Sequence, residues 1–274
     1  LGRLGHWSAL NYHLRRSWGS SMSATSTSMR FGALSGFGWR VLNALQLLFT
    51  IAWTTVLLPF ALLVLLLCGG RRHWPLRMAS RIWAPGLLTG AGARVVASGF
   101  DTLDFSNPCI VVANHQSMID ICVLFRVLPV PLCFVMKDEL ARVPVVGTYA
   151  RAMGMVFIER QAARAATRQL GNAAQLFAEG LSVCGFPEGT RGKPGHIGSF
   201  KGGIFKLAID CGIPILPVSI EGSGEVLPVR GFKVRPGVIR IRAGELIQTR
   251  GLQQGDRMAL ASRCRDAVIA LSGV

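Results

Sequence analysis

One apolar run, from Val41 to Cys68, constrains the fold more than any other feature, because it contains no charged residue. A helix needs roughly 20 apolar residues to span the hydrocarbon core of a bilayer, and this run is long enough. Arginines flank it on both sides, so the distribution of positive charge indicates no clear orientation. Pro59 lies inside the run and predicts a kink or a break. The sequence therefore predicts membrane insertion, either as one spanning helix or, as we prefer, as two shorter helices lying in one leaflet.

The overall charge favours an anionic membrane surface as the partner. The 274 residues include 30 basic and 14 acidic side chains, which give a formal net charge of +16. Nucleic acid is not expected as a partner, because the aromatic residues do not alternate with the basic ones and no zinc-finger, RNA-recognition or helix-turn-helix signature is present. Lipid contact is predicted for the arginines that follow the apolar run, Arg71, Arg72, Arg77 and Arg81.

The cysteines indicate a reducing compartment. Seven cysteines are scattered through mostly apolar surroundings, and no Cys-x2-Cys or His-x3-His spacing occurs. We therefore expect reduced, buried thiols on a cytoplasmic face and no bound metal. Residues 1–35 are Ser-rich in part and weakly patterned, which predicts a disordered tail or an over-called translation start.

Beyond the apolar run, short apolar segments alternate with helix-like segments. This alternation predicts an α/β domain, with a mixed, largely parallel sheet flanked by helices. Helices are expected at about Arg160 to Gly180 and at Gly255 to Leu271. Strands are expected at Arg94 to Val96, Cys109 to Ala113, Leu132 to Met136, Met155 to Ile158, Leu181 to Cys184, Ile215 to Ile220 and Ile239 to Ile241.

The end of the predicted Cys109 to Ala113 strand carries a pair of residues suited to acid–base chemistry. His115 follows this strand, and Asp120 lies five residues further on, about one turn into the next helix. An aspartate in that position can hold an imidazole in one tautomer beside a substrate hydroxyl. Taken alone, such a pair is more often structural, so the spacing needs support from a second motif.

The second motif follows another predicted strand. The segment Leu181 to Gly185 runs into a turn, Phe186 to Arg191, which carries one acid, Glu188, and one fixed cation. Open α/β sheets bind ligands outside the carboxyl ends of their strands. We therefore expect His115 and the Glu188 turn to line one crevice.

Together the two motifs, His-x4-Asp and Phe-Pro-Glu-Gly-Thr-Arg, resemble those of the glycerolipid acyltransferases, in particular the bacterial 1-acyl-sn-glycerol-3-phosphate acyltransferases. Two more blocks typical of that family follow in order, Gly154 to Arg160 and Ile213 to Val218. Residues Lys137 to Gly147 match the Lys-x-x-Leu-x-x-x-Pro-x-x-Gly pattern of bacterial members. The resemblance covers roughly Arg94 to Ile247.

The resemblance implies roles for individual residues. His115 would be the general base that takes the proton of a glycerol hydroxyl as it attacks an acyl thioester, and Asp120 would orient it. Glu159 stands where family members often carry Asp or Asn, which leaves the shape of the acceptor pocket open. Lys201 is a secondary candidate for contact with the acyl donor, and its alternative role is that of a surface residue at a helix start. Lys137 could contact the phosphates of the acyl donor or those of the acceptor, and its alternative role is that of a lysine at a helix start. The implied substrate-binding set is Glu188, Gly189, Thr190, Arg191, Arg160 and Lys137, with Arg160 and Arg191 as a phosphate clamp.

The implied reaction transfers a fatty acyl chain from acyl-CoA or acyl carrier protein to lysophosphatidic acid, giving phosphatidic acid, with no bound cofactor. The expected location is the cytoplasmic side of a bacterial inner membrane. Alternatives that stay open are another acceptor, such as lyso-ornithine lipid, another lysophospholipid or glycerol-3-phosphate, and an inactive lipid-binding scaffold. The predicted organisation is a tail at 1–35, a membrane-anchoring segment at 36–88 and an acyltransferase domain at 89–274.

Overall fold

The computed structural model describes residues 35–142, 146–158, 163–193 and 195–273. All but the last residue of the tail predicted at 1–35 lies outside these ranges. The chain divides into two units, Leu1–Val41 and Leu42–Val274, and the second contains every residue of the candidate site described below. The domain boundaries proposed from the sequence stay predictions.

The apolar run forms one helix, α1, at Gly36–Leu67. Its 32 residues are long and apolar enough to cross a membrane, by length and composition. The helix continues through Pro59, so the break predicted there and the preferred division of the run into two shorter helices are wrong. A proline removes one backbone donor, and a helix this long and this rich in leucine retains its other hydrogen bonds. The helix instead ends at Gly69 and Gly70, both at positive φ, where the Gly70 amide donates to the Leu65 carbonyl.

A second helical segment returns along α1. It consists of α2 at His73–Met78, a π-helical turn at Ala79–Trp83 and α3 at Ala84–Gly90. The Trp53 indole donates to the Trp83 carbonyl at 3.2 Å, and the Gln46 amide donates to the carbonyl of Gly90 at 3.1 Å. The two segments therefore form an antiparallel helical hairpin.

Arg72, at the turn of this hairpin, contacts protein rather than lipid. Its Nη1 lies 2.9 Å from both carboxylate oxygens of Glu179, and its Nε donates to the Ala152 carbonyl at 3.2 Å. The lipid contact predicted for Arg72 is thus replaced by a contact that fastens the hairpin to the rest of the domain.

The sheet has seven strands in the order β1-β7-β6-β2-β5-β3-β4. Every neighbouring pair is parallel except β6 and β7, which confirms the predicted mixed, largely parallel sheet. All the predicted strands are present in the described part of the chain. Their bounds are β1 Ala93–Ser98, β2 Ile110–Ala113, β3 Leu132–Lys137, β4 Val156–Ile158, β5 Ser182–Gly185, β6 Ile215–Glu221 and β7 Gly237–Ala243.

Helices flank the sheet, and the central strands are buried along their whole length because parallel strands are covered on both faces. The two helices predicted from the sequence are present as α7 and α10, although Arg160 lies outside the described residues. The helix bounds are α4 Ile119–Val127, α5 Asp138–Ala141, α6 Val146–Ala152, α7 Ala163–Ala178, α8 Gly203–Cys211, α9 Ser223–Val226 and α10 Arg257–Leu271, with a 3-10 turn at Gln254–Asp256.

The central pair of strands positions the candidate site. Strand β2 is parallel to β5, with Val112 opposite Gly185 at their carboxyl ends. The segments that leave these two ends carry His115 and Glu188, so the sheet brings the two sequence motifs together as predicted.

Candidate active site

His115 and Asp120 form a hydrogen-bonded pair. The imidazole Nδ1 lies 2.8 Å from Asp120 Oδ2, and the aspartate side chain is fully buried. The same oxygen accepts the backbone N–H groups of Gln116 and Ser117, each at 2.8 Å. Because a carboxylate oxygen with these donors acts as an acceptor, Nδ1 of His115 carries the proton and Nε2 keeps a lone pair. This arrangement can accept a proton from a substrate.

The imidazole is also fixed by stacking. The rings of His115 and Phe186 are nearly parallel, at 15°, with their centroids 3.9 Å apart. The side chain of His115 retains 14% of its exposure, so a substrate can still reach it. Phe186 was not singled out from the sequence as a functional residue, although it opens the second motif.

Glu188 contacts backbone amides. Its Oε1 accepts the N–H of His115 at 2.9 Å, and its Oε2 accepts the N–H of Gly198 at 2.9 Å. The carbonyl of His115 in turn accepts the N–H of Gly192 at 2.7 Å. The backbone N–H of the histidine is therefore bonded to the second motif, and its carbonyl to the residue that follows the motif. The acceptor-binding role predicted for Glu188 stays a prediction, and these contacts favour a positioning role.

A large cavity opens beside the imidazole. Its volume is about 1050 Å³, which is at the upper end of the size range of small-molecule sites. Side chains from the helical hairpin form part of its wall, and side chains from α4 and β3 form another part. The apolar lining includes Leu57, Leu58, Ile82, Trp83, Phe125 and Phe134. A wall of this composition suits a hydrocarbon chain.

Several polar residues of the second motif line the same cavity. Gly189, Thr190 and Arg191 are all part of its wall, as is Lys201. The Lys201 amino group lies directly above Gly189, where a Cβ would come within 2.6 Å of Nζ. The secondary candidate Lys201 is therefore placed within the site, although its side chain is also exposed. Two cations thus share the cavity with the imidazole.

Two predicted residues cannot be placed in the site. Arg160 lies outside the described residues, and so does the side chain of Lys137, whose backbone ends β3. Within the described ranges, no group of three or more His, Cys, Asp or Glu side chains is arranged to hold a metal ion.

Comparison with known proteins identifies the family. The family model described as Acyltransferase matches residues 94–221, which include both motifs. The crystal structure of the 1-acyl-sn-glycerophosphate acyltransferase PlsC from Thermotoga maritima superposes with a TM-score of 0.67 at 27% identity, over 86% of this chain and 100% of that one. Residues 94–221 of the chain thus match the acyltransferase family. The resemblance inferred from the motifs is thereby confirmed.

Curated proteins similar to the chain come from plants, animals and bacteria. The chloroplastic 1-acyl-sn-glycerol-3-phosphate acyltransferase BAT2 of Brassica napus is 37% identical over 47% of this chain and 38% of its own length. The human 1-acyl-sn-glycerol-3-phosphate acyltransferase beta is 32% identical over 61% of this chain and 60% of its own length. The 1-acyl-sn-glycerol-3-phosphate acyltransferase of Borreliella burgdorferi is 27% identical over 65% and 72%. The alignment thus spans less than two thirds of the plant and human relatives.

Proposed function

We propose that the protein transfers a fatty acyl chain from an acyl thioester to the free hydroxyl of lysophosphatidic acid, giving phosphatidic acid. The observation that carries the proposal is the His115–Asp120 pair, whose histidine lines a large apolar cavity together with Arg191 and Lys201. The names of the relatives agree with this acceptor.

The geometry supports a direct transfer. Nε2 of His115 takes the proton from the acceptor hydroxyl while the oxygen attacks the thioester carbonyl. The new C–O bond forms, the C–S bond breaks, and the leaving thiolate takes the proton back from the imidazolium. Asp120 stabilises the positive charge that His115 carries between these steps.

An acyl-cysteine intermediate is disfavoured. Cys122 lies close to Asp120 in the chain, but burial raises the pKa of its thiol to about 12. A thiol with that pKa is a poor nucleophile near neutral pH. The sequence also contains no Gly-x-Ser-x-Gly elbow that would supply a nucleophilic serine.

The cations of the cavity fit an acidic lipid. Arg191 and Lys201 offer charged donors to a phosphate monoester, and Thr190 adds a hydroxyl. We include Arg160 and Lys137 in this set on the resemblance alone. The acyl donor is acyl-CoA or acyl carrier protein, and no bound cofactor is required.

We place the reaction at the cytoplasmic face of a bacterial inner membrane. Helix α1 supports membrane association, since its surface exposes large apolar side chains such as Leu48, Val56 and Phe60. An enzyme held at the bilayer can take a lysolipid from it and return the diacyl product.

The test is phosphatidic acid formation by detergent-solubilised protein supplied with lysophosphatidic acid and an acyl-CoA. A His115→Ala variant serves as the control, and glycerol-3-phosphate serves as an alternative acceptor. We expect product from the intact protein and none from the variant. Activity equal in both proteins, or no activity with acyl-CoA and acyl carrier protein donors alike, would overturn the proposal.

A further inference from the structure

The contacts of Glu188 continue to the C-terminal helix. The peptide group that joins Ile197 to Gly198 donates its N–H to Glu188 Oε2 at 2.9 Å. The carbonyl of that same peptide group accepts a hydrogen bond of 2.8 Å from Nη2 of Arg265, which lies in helix α10. Arg265 also donates from Nε to the carbonyl of Gly198 at 2.8 Å. One guanidinium thus holds two consecutive carbonyls.

These bonds form a connected chain from α10 to the catalytic histidine. Arg265 donates to the carbonyl of the peptide group before Gly198, and the N–H of that group donates to one oxygen of Glu188. The other oxygen of Glu188 accepts the N–H of His115. A peptide group that accepts a charged donor on one side becomes a stronger donor on the other. The inner part of this chain is shielded from water, since Glu188 is 9% exposed and Ile197 is 8% exposed, whereas the Arg265 side chain is 33% exposed.

The close approach of the loops depends on two glycines. An added Cβ at Gly198 or at Gly192 would come within 3.1 Å of Glu188 Oε2. The carboxylate is therefore enclosed by backbone. The surrounding backbone limits the access of a substrate to Glu188, and the negative charge of Glu188 would repel a phosphate.

We propose that Arg265 is a positioning residue that holds His115 in its catalytic orientation through the Ile197–Gly198 peptide group and Glu188. Arg265 lies outside residues 94–221, the segment matched by the family model, so the two motifs alone do not reveal this contact. The kinetic part of the inference rests on the proposed acyl transfer, whereas the structural part does not.

The experiment compares Arg265→Met with Arg263→Met in the full chain. Arg263 is exposed on the same helix, so its replacement removes the same charge from a position away from the loop. Hydrogen–deuterium exchange followed by mass spectrometry reports on the peptides that contain the His115 and Gly198 amides. We expect exchange of these peptides to accelerate at least about tenfold in Arg265→Met and not in Arg263→Met, since a loop that Arg265 no longer holds opens more often and exposes these amides to solvent.

The same proteins are assayed for acyl transfer. We expect kcat to fall at least about tenfold in Arg265→Met while the KM for each substrate changes by less than about twofold, as for an interaction needed in the transition state alone. Arg265→Lys keeps a charged donor but lacks the planar guanidinium that bonds two carbonyls at once. Its kcat should therefore lie between those of Arg265→Met and the wild-type protein. Should the methionine variant fail to fold, the lysine variant and Glu188→Gln answer the same question. Glu188→Gln replaces one acceptor oxygen with a donor and should also lower kcat.

Two results would overturn the proposal. One is exchange in Arg265→Met that matches exchange in Arg263→Met. The other is a higher KM for lysophosphatidic acid at unchanged kcat in Glu188→Gln, which would show that Glu188 contacts the acceptor. If the wild-type protein transfers no acyl group, the proposed function fails, and the exchange result alone then decides the structural contact.

Discussion

At the scale of single residues, Asp120 is held by more than its partner histidine. The backbone N–H groups of Gln116 and Ser117 fix the carboxylate before any substrate binds. Such preorganisation is an effective way to stabilise charge that appears during a reaction, because no group has to reorient at that moment.

The first prediction concerns the charge of Asp120. Asp120→Asn removes the negative charge and favours the wrong imidazole tautomer, so we expect kcat to fall about a hundred- to ten-thousand-fold, the range of general-base catalysis. Steady-state kinetics of acyl transfer measures the loss, with the KM values little changed. Asp101→Asn, at an exposed position, is the matched control. A normal kcat in Asp120→Asn would rule out the role assigned to the pair.

The second prediction concerns the proposed phosphate site. Arg191→Met removes a charged donor from the cavity wall, and the KM for lysophosphatidic acid should rise about tenfold to a hundredfold, the value of one hydrogen bond to a charged group. Titration of lysophosphatidic acid at saturating donor measures this change. Lys193→Met, two residues away and exposed, is the control. Equal KM values in both variants would exclude Arg191 from the acceptor site.

The sequence was sufficient to predict the His115–Asp120 pair, because both residues lie in one short segment and their distance follows from local geometry. The contacts of Glu188 were not predictable in this way. Its partners are backbone amides, that of Gly198 ten residues away and that of His115 in the segment after β2, and every residue except proline carries such an amide. Side-chain identity therefore gave no sign of which ones would meet.

At the scale of helices and strands, the strands were predictable because buried parallel strands are apolar on both faces. The course of α1 was not, since a proline inside an apolar helix has a cost that depends on what surrounds it. The packing of the hairpin also depends on residues far apart in the sequence, since Trp53 packs against Gly86 and Phe49 packs against Gly90.

The third prediction concerns the fastening of this hairpin. Arg72→Met breaks the ion pair with Glu179 and the bond to the Ala152 carbonyl, and unfolding should become about 1–3 kcal/mol easier, the range for partly buried charged hydrogen bonds. Thermal unfolding in detergent and limited proteolysis of the turn measure the effect. Arg71→Met, one residue earlier and exposed, should leave both unchanged. Equal stability of the two variants would contradict the role given to Arg72.

At the scale of the whole molecule, the burial of the cysteines shows how well the core excludes solvent. All seven lie in the described residues and are unpaired, and five of them are buried while Cys68 and Cys211 are partly exposed. Burial raises the pKa of Cys133 to about 12 and that of Cys109 to about 11. The expected burial of the thiols is confirmed for these five, and their reduced state on a cytoplasmic face stays a prediction.

The fourth prediction follows from these pKa values. At pH 8 a thiol of pKa about 12 is ionised in roughly one molecule in ten thousand, so the buried cysteines should resist alkylation in the folded protein. Cys68 and Cys211 should react first, because they are partly exposed. Mass spectrometry of protein treated with iodoacetamide identifies the modified residues, and denatured protein with all seven modified is the control. Rapid native modification of Cys122 or Cys133 would contradict the closed core.

The composition and the net charge predicted a membrane partner without the structure, because both are obtained by adding up residues of the sequence. The shape of the cavity could not be predicted in this way, since its wall combines residues as far apart in the sequence as Leu57 and Ile204.

The helix expected to serve only as an anchor supplies part of the cavity wall, through Leu57, Leu58 and Ala61. Under the proposed function, the residues that select the fatty chain are therefore separate from the residues that catalyse the transfer. Selectivity for the length of the fatty chain can be altered by exchanging side chains on the hairpin, while His115 and Asp120 stay untouched. It also means that trimming the hairpin to obtain a water-soluble enzyme would remove a wall of the binding site along with the anchor.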